Sequence, residues 1–514
     1  MSDPKNYNAA SDLLESNLVA GRGDKVAFID PTRQVTYAQL DAEARRAAQL
    51  MVSIGLRRED RAVMIMLDTV DFPAVFLGGI LAGIVMVPLN TALANDTYRF
   101  MLADSRAKAL FISAPLLANL QPVLSDLPNL KSVVVVGDDA PADMRSYAKG
   151  VAAQTGNFAA VPTHSDEPAF WLYSSGSTGT PKGAKHLHTS PMATAKLYAQ
   201  GVLGIREDDV CLSAAKLFFA YGLGNALSFP MSVGATTILN PDRPTPGVMF
   251  ELLKKHQPTL FFGVPTLFAA MLGDQKLVAE EGSAQLRLCV SAGEALPEHI
   301  GQNWRARFGV DILDGVGSTE LLHIFLSNKP GHVIYGTSGV AVPGYDLRLV
   351  DETGHDVTVG EIGELLVRAP SAAEGYWNQR EKSRRTFEGE WTRTGDKYTR
   401  DADSRYTYCG RTDDMFKASG QWVSPFEVES ALISHDAVLE AAVIAATDED
   451  GLTKPKAFVV LKADVSPDDA LHAALKDHVK ARIGTWKYPR WIVFVDSLPK
   501  TATGKIQRFK LREG

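Results

Sequence analysis

Cysteine is nearly absent from this chain, with Cys211, Cys289 and Cys409 the only three in 514 residues. They lie too far apart for metal-ligand spacing, and pairing any two leaves one over. That excludes a disulfide framework and suits the reduced thiols of a cytoplasmic protein. Basic blocks are lacking as well: 53 Lys and Arg stand against 60 Asp and Glu, a net charge of −7. Such a balance argues against a chain built to hold nucleic acid or an anionic membrane, and for a small-molecule enzyme. The opening MSDPKNYNAASDLLESN lacks a basic start followed by an apolar stretch, so no signal peptide is expected and the mature chain should begin near Met1. Repeats and low-complexity tracts are missing too.

Long apolar runs are almost missing. The exception is the 18 uncharged residues Phe72–Leu89, which reach the lower length limit for a membrane span. Pro73, Pro88 and the glycines at 78, 79 and 83 break that run. A buried helix to about Ala82 followed by a buried strand Ile84–Leu89 accounts for the same residues without a membrane.

What is present is an ordinary globular composition, 45% hydrophobic and 22% charged. The length exceeds the roughly 250–300 residues at which single cores stop growing, so at least two domains are expected. From about Lys25 to Pro370, short apolar runs such as Ala62–Leu67, Ala109–Ile112, Ser132–Val136, Thr259–Val264 and Leu286–Val290 alternate with helical-period stretches. Strands buried on both faces read this way, and the whole predicts a large α/β domain. Shorter strands near Tyr345–Val350 and Glu364–Val367 predict a small sheet at one end of it. Beyond Arg411 a polar segment leads to an amphipathic stretch at Phe426–Ser434, then Ala441–Ala445, Ala457–Leu461, a helix near Asp468–Ile483 and a strand at Trp491–Val495. That pattern predicts an α+β module of small-domain size, with domains at 1–412 and 413–514.

The most informative stretch is Tyr173–Ala184, YSSGSTGTPKGA. Its small and hydroxylated residues Ser174, Ser175, Gly176, Ser177, Thr178 and Gly179 let amides and hydroxyls crowd round a phosphate, and Lys182 adds a point charge. The spacing departs from a Walker A loop, so this is a phosphate loop of another kind. GSTE at 317–320 sets a hydroxyl, Thr319, beside a carboxylate, Glu320, a pair suited to a phosphate oxygen and a hard Mg²⁺ ion. TGD at 394–396, GRTDDMFKASG at 410–420 and PKTATGKIQR at 499–508 follow in order.

These five ordered motifs resemble the signatures of the acyl-CoA synthetase, non-ribosomal adenylation domain and luciferase superfamily. The resemblance implies a large N-terminal domain, a small mobile C-terminal one, and the substrates ATP and coenzyme A with Mg²⁺. It implies that Asp396 takes the ribose hydroxyls with Arg411 beside it, and that Gly293, Glu294, Asp314 and Gly315 surround the nucleotide. Lys505 is implied as the catalytic lysine of adenylation, together with Thr319 and Glu320. Asp413 matches the hinge about which the small domain swings, and Gly420 the loop lining the CoA tunnel.

SAAKLFFAYGLGNA at 213–226 and GSTELLHIFLSN at 317–328 resemble most closely the benzoate and hydroxybenzoate CoA ligases, as do SAGEALP at 291–297 and the C-terminal TWKYPRW. By that resemblance Phe219, Ala220, Tyr221, Ala292, Gly317, Leu322 and His323 line an aryl pocket: an aromatic plate, small residues leaving a flat slot, and a polar tip. Aromatics at 218, 219 and 221 are also what core packing would use, and His323 is either a contact to a ring substituent or a satisfied core histidine. Val316 departs from the many relatives that stack an aromatic residue on adenine there. The expected reaction joins benzoate or hydroxybenzoate to CoA through an aryl-adenylate, releasing AMP and diphosphate. Its alternatives are another small acid, or transfer to a carrier protein; with the sequence ending just past Lys505, no carrier domain is expected in this chain. A non-catalytic regulator would be expected to lack Lys182, Glu320 or Lys505, and all three are present. Partners beyond the substrates are expected to be none, or a second copy in a homodimer.

Overall fold

The computed structural model describes residues 5–125, 127–137, 140–175, 180–274, 276–418, 421–449, 451–463, 465–485, 487–500 and 506–512. Among them, two large sheets of eight and nine strands form the body of the chain. The strands Arg61–Ile65, Val85–Pro88, Ala109–Ser113 and Ser132–Val136 pair in parallel in the first. In the second, Val210–Ser213, Leu260–Gly263, Leu288–Ser291 and Ile312–Gly317 do the same. Nearly every residue of these strands is buried, which is why they read as continuous apolar runs rather than alternating ones. The strand Ser132–Val136 coincides with the sequence reading, and the others differ from it by a residue or two at one or both ends, as at Leu260–Gly263 against 259–264.

The run at 72–89 is a helix, Asp71–Leu81, followed by the strand Val85–Pro88. It is apolar all round because it is enclosed all round. It packs on Tyr37–Ser53, a helix started by a capping box between Thr36 and Gln39. The close approach needs glycine: a Cβ on Gly78 would stand 2.6 Å from the Ala44 carbonyl oxygen. No helix among the described residues is long and apolar enough to cross a membrane.

A five-stranded antiparallel sheet closes the large domain, built on Asp346–Val350, Gly363–Arg368 and the ten-residue Trp391–Arg400. The small domain follows: the hairpin Phe416–Ala418 with Gln421–Val423, then the three-stranded sheet Val438–Thr447, Thr453–Leu461 and Trp491–Phe494. The helices Pro425–Ile433 and Asp469–Ile483 cover that sheet, each started by a side-chain cap from Ser424 or Asp468. Cys211 and Cys289 are buried and all three cysteines are free thiols.

Candidate functional site

In open α/β sheets the groove lies outside the carboxyl ends of the strands. Here those ends carry the candidate residues: Ala292 follows Leu288–Ser291, Asp314 to Gly317 close Ile312–Gly317, and Phe219 follows Val210–Ser213. The phosphate-loop sequence joins an antiparallel hairpin, Pro168–Ser175 with Pro181–Leu187, in which Ser174 pairs with Lys182. Gly176, Ser177, Thr178 and Gly179 lie outside the described residues, as do Gly420 and Lys505.

Glu320 is the centre of the first group. Its Oε1 accepts hydrogen bonds from the Tyr376 hydroxyl at 2.7 Å and the Ser174 hydroxyl at 3.2 Å. Burial alone would raise this carboxyl, but Tyr376, Lys182 and Ser174 more than offset it and hold it below the ordinary carboxylate range. It is therefore ionised at neutral pH. Lys182 donates to the Tyr376 hydroxyl at 3.3 Å and lies 4.6 Å from the centre of that ring. Burial pulls its ammonium below the usual value, against the pull of Glu320. Thr319 is fixed through its backbone, whose carbonyl accepts from the His186 imidazole at 2.8 Å. Tyr376 escaped the sequence reading. It is 56 residues from Glu320, and a Gly-Tyr-Trp triplet in one sequence gives no sign of what the hydroxyl will meet.

The second group is the pair Asp396 and Arg411, cross-strand neighbours whose carboxylate and guanidinium lie 3.1 Å apart. Arg411 also donates to the Thr394 carbonyl at 3.1 Å, and its charge is felt at both Lys182 and Tyr376. Asp413, two residues on, is exposed and acts electrostatically on Lys182. Gly293 takes a left-handed φ of 97°, and Glu294 beside it is half-buried.

Asp314 lies beneath this groove, 5% exposed, and Gly315 next to it is buried. Burial pushes the Asp314 carboxyl up to about 7, against hydrogen bonds from the Leu296 amide at 3.2 Å and the Ser338 hydroxyl at 3.3 Å. The folded chain thus keeps this proton at pH values where the unfolded chain, with an ordinary value of 3.8, has lost it. Stability from this group is complete below about pH 4 and declines as pH rises toward about 7. Asp314→Asn should remove that decline. Its thermal midpoint relative to the parent is expected to rise by about 1–3 °C from pH 5 to pH 8; a constant difference across that range would contradict the assignment.

The third group surrounds His323, 2% exposed, with Phe229, Tyr221 and Tyr198 rings at 4.3, 5.5 and 5.6 Å. Nε2 contacts two oxygens, the Tyr221 carbonyl at 3.2 Å and Asn225 Oδ1 at 3.1 Å, which fixes the proton on Nε2. Nδ1 has no partner among the described residues. Burial pushes the imidazole down to about 3, so it is neutral. One nitrogen is thus satisfied in the core, and the other keeps a lone pair with no partner among the described residues. The Tyr221 hydroxyl donates to the Val290 carbonyl at 3.1 Å, two residues before Ala292, and Tyr221, Ala292 and the half-buried Val316 share one core cluster.

Ala220 and Leu322 pack in the neighbouring cluster, so the residues expected to line the aryl pocket are divided between two cores. Leu322 holds a left-handed φ of 66°, a strain characteristic of functional sites. Gly317 cannot carry a side chain, since a Cβ there would stand 2.6 Å from the His323 carbonyl oxygen. Phe219 is half-buried and meets Phe218 edge-on at 4.6 Å, outside the His323 ring group.

Fold and site together define a two-domain enzyme of the adenylate-forming class. Family models agree: "AMP-binding enzyme" matches residues 16–377 and "AMP-binding enzyme C-terminal domain" residues 427–505. The chain belongs to this AMP-binding enzyme family. It is 55% identical over 511 residues to a 4-hydroxybenzoate–CoA/benzoate–CoA ligase of Rhodopseudomonas palustris, covering 99% of this chain and 94% of that one. A benzoate–CoA ligase of Thauera aromatica is likewise 55% identical over 511 residues, covering 99% and 96%. Among solved structures, a benzoate CoA ligase from Burkholderia xenovorans LB400 superposes with a TM-score of 0.91 at 50% identity, covering 98% of this chain and all of that one.

Proposed function

We propose that the chain is an AMP-forming aromatic acid:CoA ligase acting on benzoate or a hydroxybenzoate. The observation that carries this reading is one juxtaposition. An ionised carboxylate, a lysine and the Ser174 hydroxyl meet at Glu320, two and three residues before Leu322 and a neutral His323, which pack in the adjoining cores that hold Tyr221 and Ala292. The relatives that match end to end activate these acids, and the slot suits one aromatic ring rather than a long chain. His323 Nδ1 offers an acceptor to a ring hydroxyl.

The carboxylate oxygen of the acid attacks the α-phosphorus of ATP and diphosphate leaves, giving the aryl-adenylate. The sulfur of CoA then attacks the acyl carbon and AMP departs with the C–O bonding pair, the thiol proton going to solvent. The loop at 174–179 and Lys182 hold the phosphates. Asp396 accepts from the ribose hydroxyls, and Gly293, Glu294, Asp314 and Gly315 frame the nucleotide. Phe219, Ala220 and Gly317 complete the aryl slot, and Gly420 belongs to the CoA tunnel. Lys505 meets the charge that grows at phosphorus during the first step.

Mg²⁺ neutralises phosphate charge when bound. Glu320 would hold it with Thr319, and the donor chemistry fits: a buried, ionised carboxylate and a hydroxyl are hard oxygen ligands. Among the described residues no cluster of three or more acidic, His or Cys side chains could hold a metal alone. That suits an ion held largely by substrate phosphates.

The boundary at 412/413 has a local basis. The Thr412 amide donates to the Gly395 carbonyl at 2.8 Å, tying it to the large domain, and Asp413 is the next residue. Rotation there moves the small domain between an adenylating and a thioester-forming orientation. We place the enzyme in the cytoplasm, where its free thiols stay reduced. The test is a panel of ring-substituted benzoates and aliphatic acids in a CoA-dependent AMP-release assay. Benzoate or a hydroxybenzoate should lead, and faster turnover of decanoate would overturn the slot.

A further inference from the structure

Just past residue 505 the chain enters an ion cluster whose second partner lies beside the hinge. Lys500 and Ile506 pair antiparallel, and the Gln507 amide donates to the Pro499 carbonyl at 2.8 Å, so residues 499–500 and 506–507 lie side by side. Arg508 follows at once and opens the helix Arg508–Arg512. Its guanidinium grips Glu429, with Nε 3.1 Å from Oε1 and a terminal nitrogen 2.7 Å from Oε2. The other terminal nitrogen lies 3.3 Å from Asp414 Oδ2, and Arg512 holds Asp414 Oδ1 at 2.6 Å.

Glu429 is buried on the helix Pro425–Ile433 and also accepts from the Val443 amide at 2.7 Å, which ties the cluster to the edge strand Val438–Thr447 of the small domain's sheet. Asp414 stands directly after Asp413. On one side of Asp413 the chain is tied to the large domain through Thr412, and on the other to the small domain through Asp414. Two backbone bonds cross that point, from the Asp414 and Met415 amides to the Arg411 carbonyl, and they are the ones a rotation would break.

We propose that Arg508 is a positioning residue: by clamping Asp414 and Glu429 together it makes the hinge exit and the base of the Lys505 segment one rigid lever. The inference rests on the role given above to Lys505. A surface ion pair would contribute little, but this one is a bidentate fork shared between two carboxylates, a geometry that lysine cannot reproduce. Without the clamp, rotation at Asp413 still occurs, but the lysine arrives with slack. An ångström of misplacement at a reacting centre costs on the order of 10²-fold in rate.

The experiment compares Arg508→Lys and Asp414→Asn with the parent enzyme in two half-reactions: adenylate formation from benzoate and ATP, and thioester formation from supplied benzoyl-adenylate and CoA. Thermal midpoints and circular dichroism establish that each variant folds. Adenylation should fall about 10²-fold while thioester formation stays within about twofold. Each substitution is also made in a Lys505→Ala background, where the clamp has nothing left to position and adenylation should fall no further. Equal losses in both half-reactions, or a further full loss without Lys505, would make Arg508 merely structural and overturn the proposal. Unchanged adenylation in either variant would overturn it too. If Lys505→Ala itself leaves adenylation intact, the role of Lys505 falls first and the lever with it, an outcome distinct from failure of the clamp alone.

Discussion

Lys505→Ala should lower adenylate formation by at least about 10²–10³-fold, the loss typical of removing one preorganised electrostatic donor. The charge of Lys505 is used on the transition state at phosphorus, so binding of ATP should change far less. Thioester formation follows after the small domain has carried the lysine away, so supplied benzoyl-adenylate should still become benzoyl-CoA at close to the parent rate. Giving the variant either benzoate with ATP or the preformed adenylate, each with CoA, separates the two. Comparable loss in both would contradict a two-orientation mechanism.

Glu320→Gln is expected to cost a similar amount, about 10²–10³-fold in adenylation, corresponding to about 2.7–4 kcal/mol. The substitution keeps an oxygen acceptor for Tyr376 and Ser174, so the hairpin and the Gly375–Tyr376 strand should stay in place. What it removes is the negative charge. Lys182 then loses the attraction that opposes the effect of its burial, and its pKa should fall further. Calorimetric titration of ATP should show the Mg²⁺-dependent part of binding weakened while binding without the metal is unchanged or stronger. Unchanged adenylation and unchanged Mg²⁺ dependence would remove Glu320 from the phosphate site.

The parts of this fold that were legible in the sequence are those whose signal is local. Residues 72–89 declared themselves a helix and a strand because two prolines and three glycines cut an apolar run into pieces of the right length. The buried parallel strands were visible as apolar runs bounded by polar turns. The ends of these elements were less legible, because capping and register depend on neighbours that a single sequence does not identify.

The site divides the same way. Glu320, Asp396 and Lys182 sit in motifs, and the order of those motifs along the chain is what suggests their chemistry. Tyr376, which joins Glu320 to Lys182, belongs to no such motif, and Asn225, which helps set the tautomer of His323, sits in the stretch 213–226 without any sign of that partner. Their roles arise from tertiary approach alone. His323 shows why a single residue resists assignment: it is a core histidine by one nitrogen and a free acceptor by the other, and only the positions of the Tyr221 and Asn225 oxygens tell them apart. Arg508 closes the stretch PKTATGKIQR, but its grip on Glu429 and Asp414, 79 and 94 residues away, leaves no mark in the sequence.

The central claim, that an aromatic acid is activated as its adenylate and delivered to CoA, is tested most directly by incubating the enzyme with benzoate, ATP and Mg²⁺, with and without CoA, and following AMP and benzoyl-CoA together. The account predicts that sustained AMP release requires CoA, that AMP and benzoyl-CoA appear in equal amounts, and that decanoate is a poor replacement for benzoate. AMP release at the same rate without CoA, or the absence of benzoyl-CoA while AMP accumulates, would contradict it.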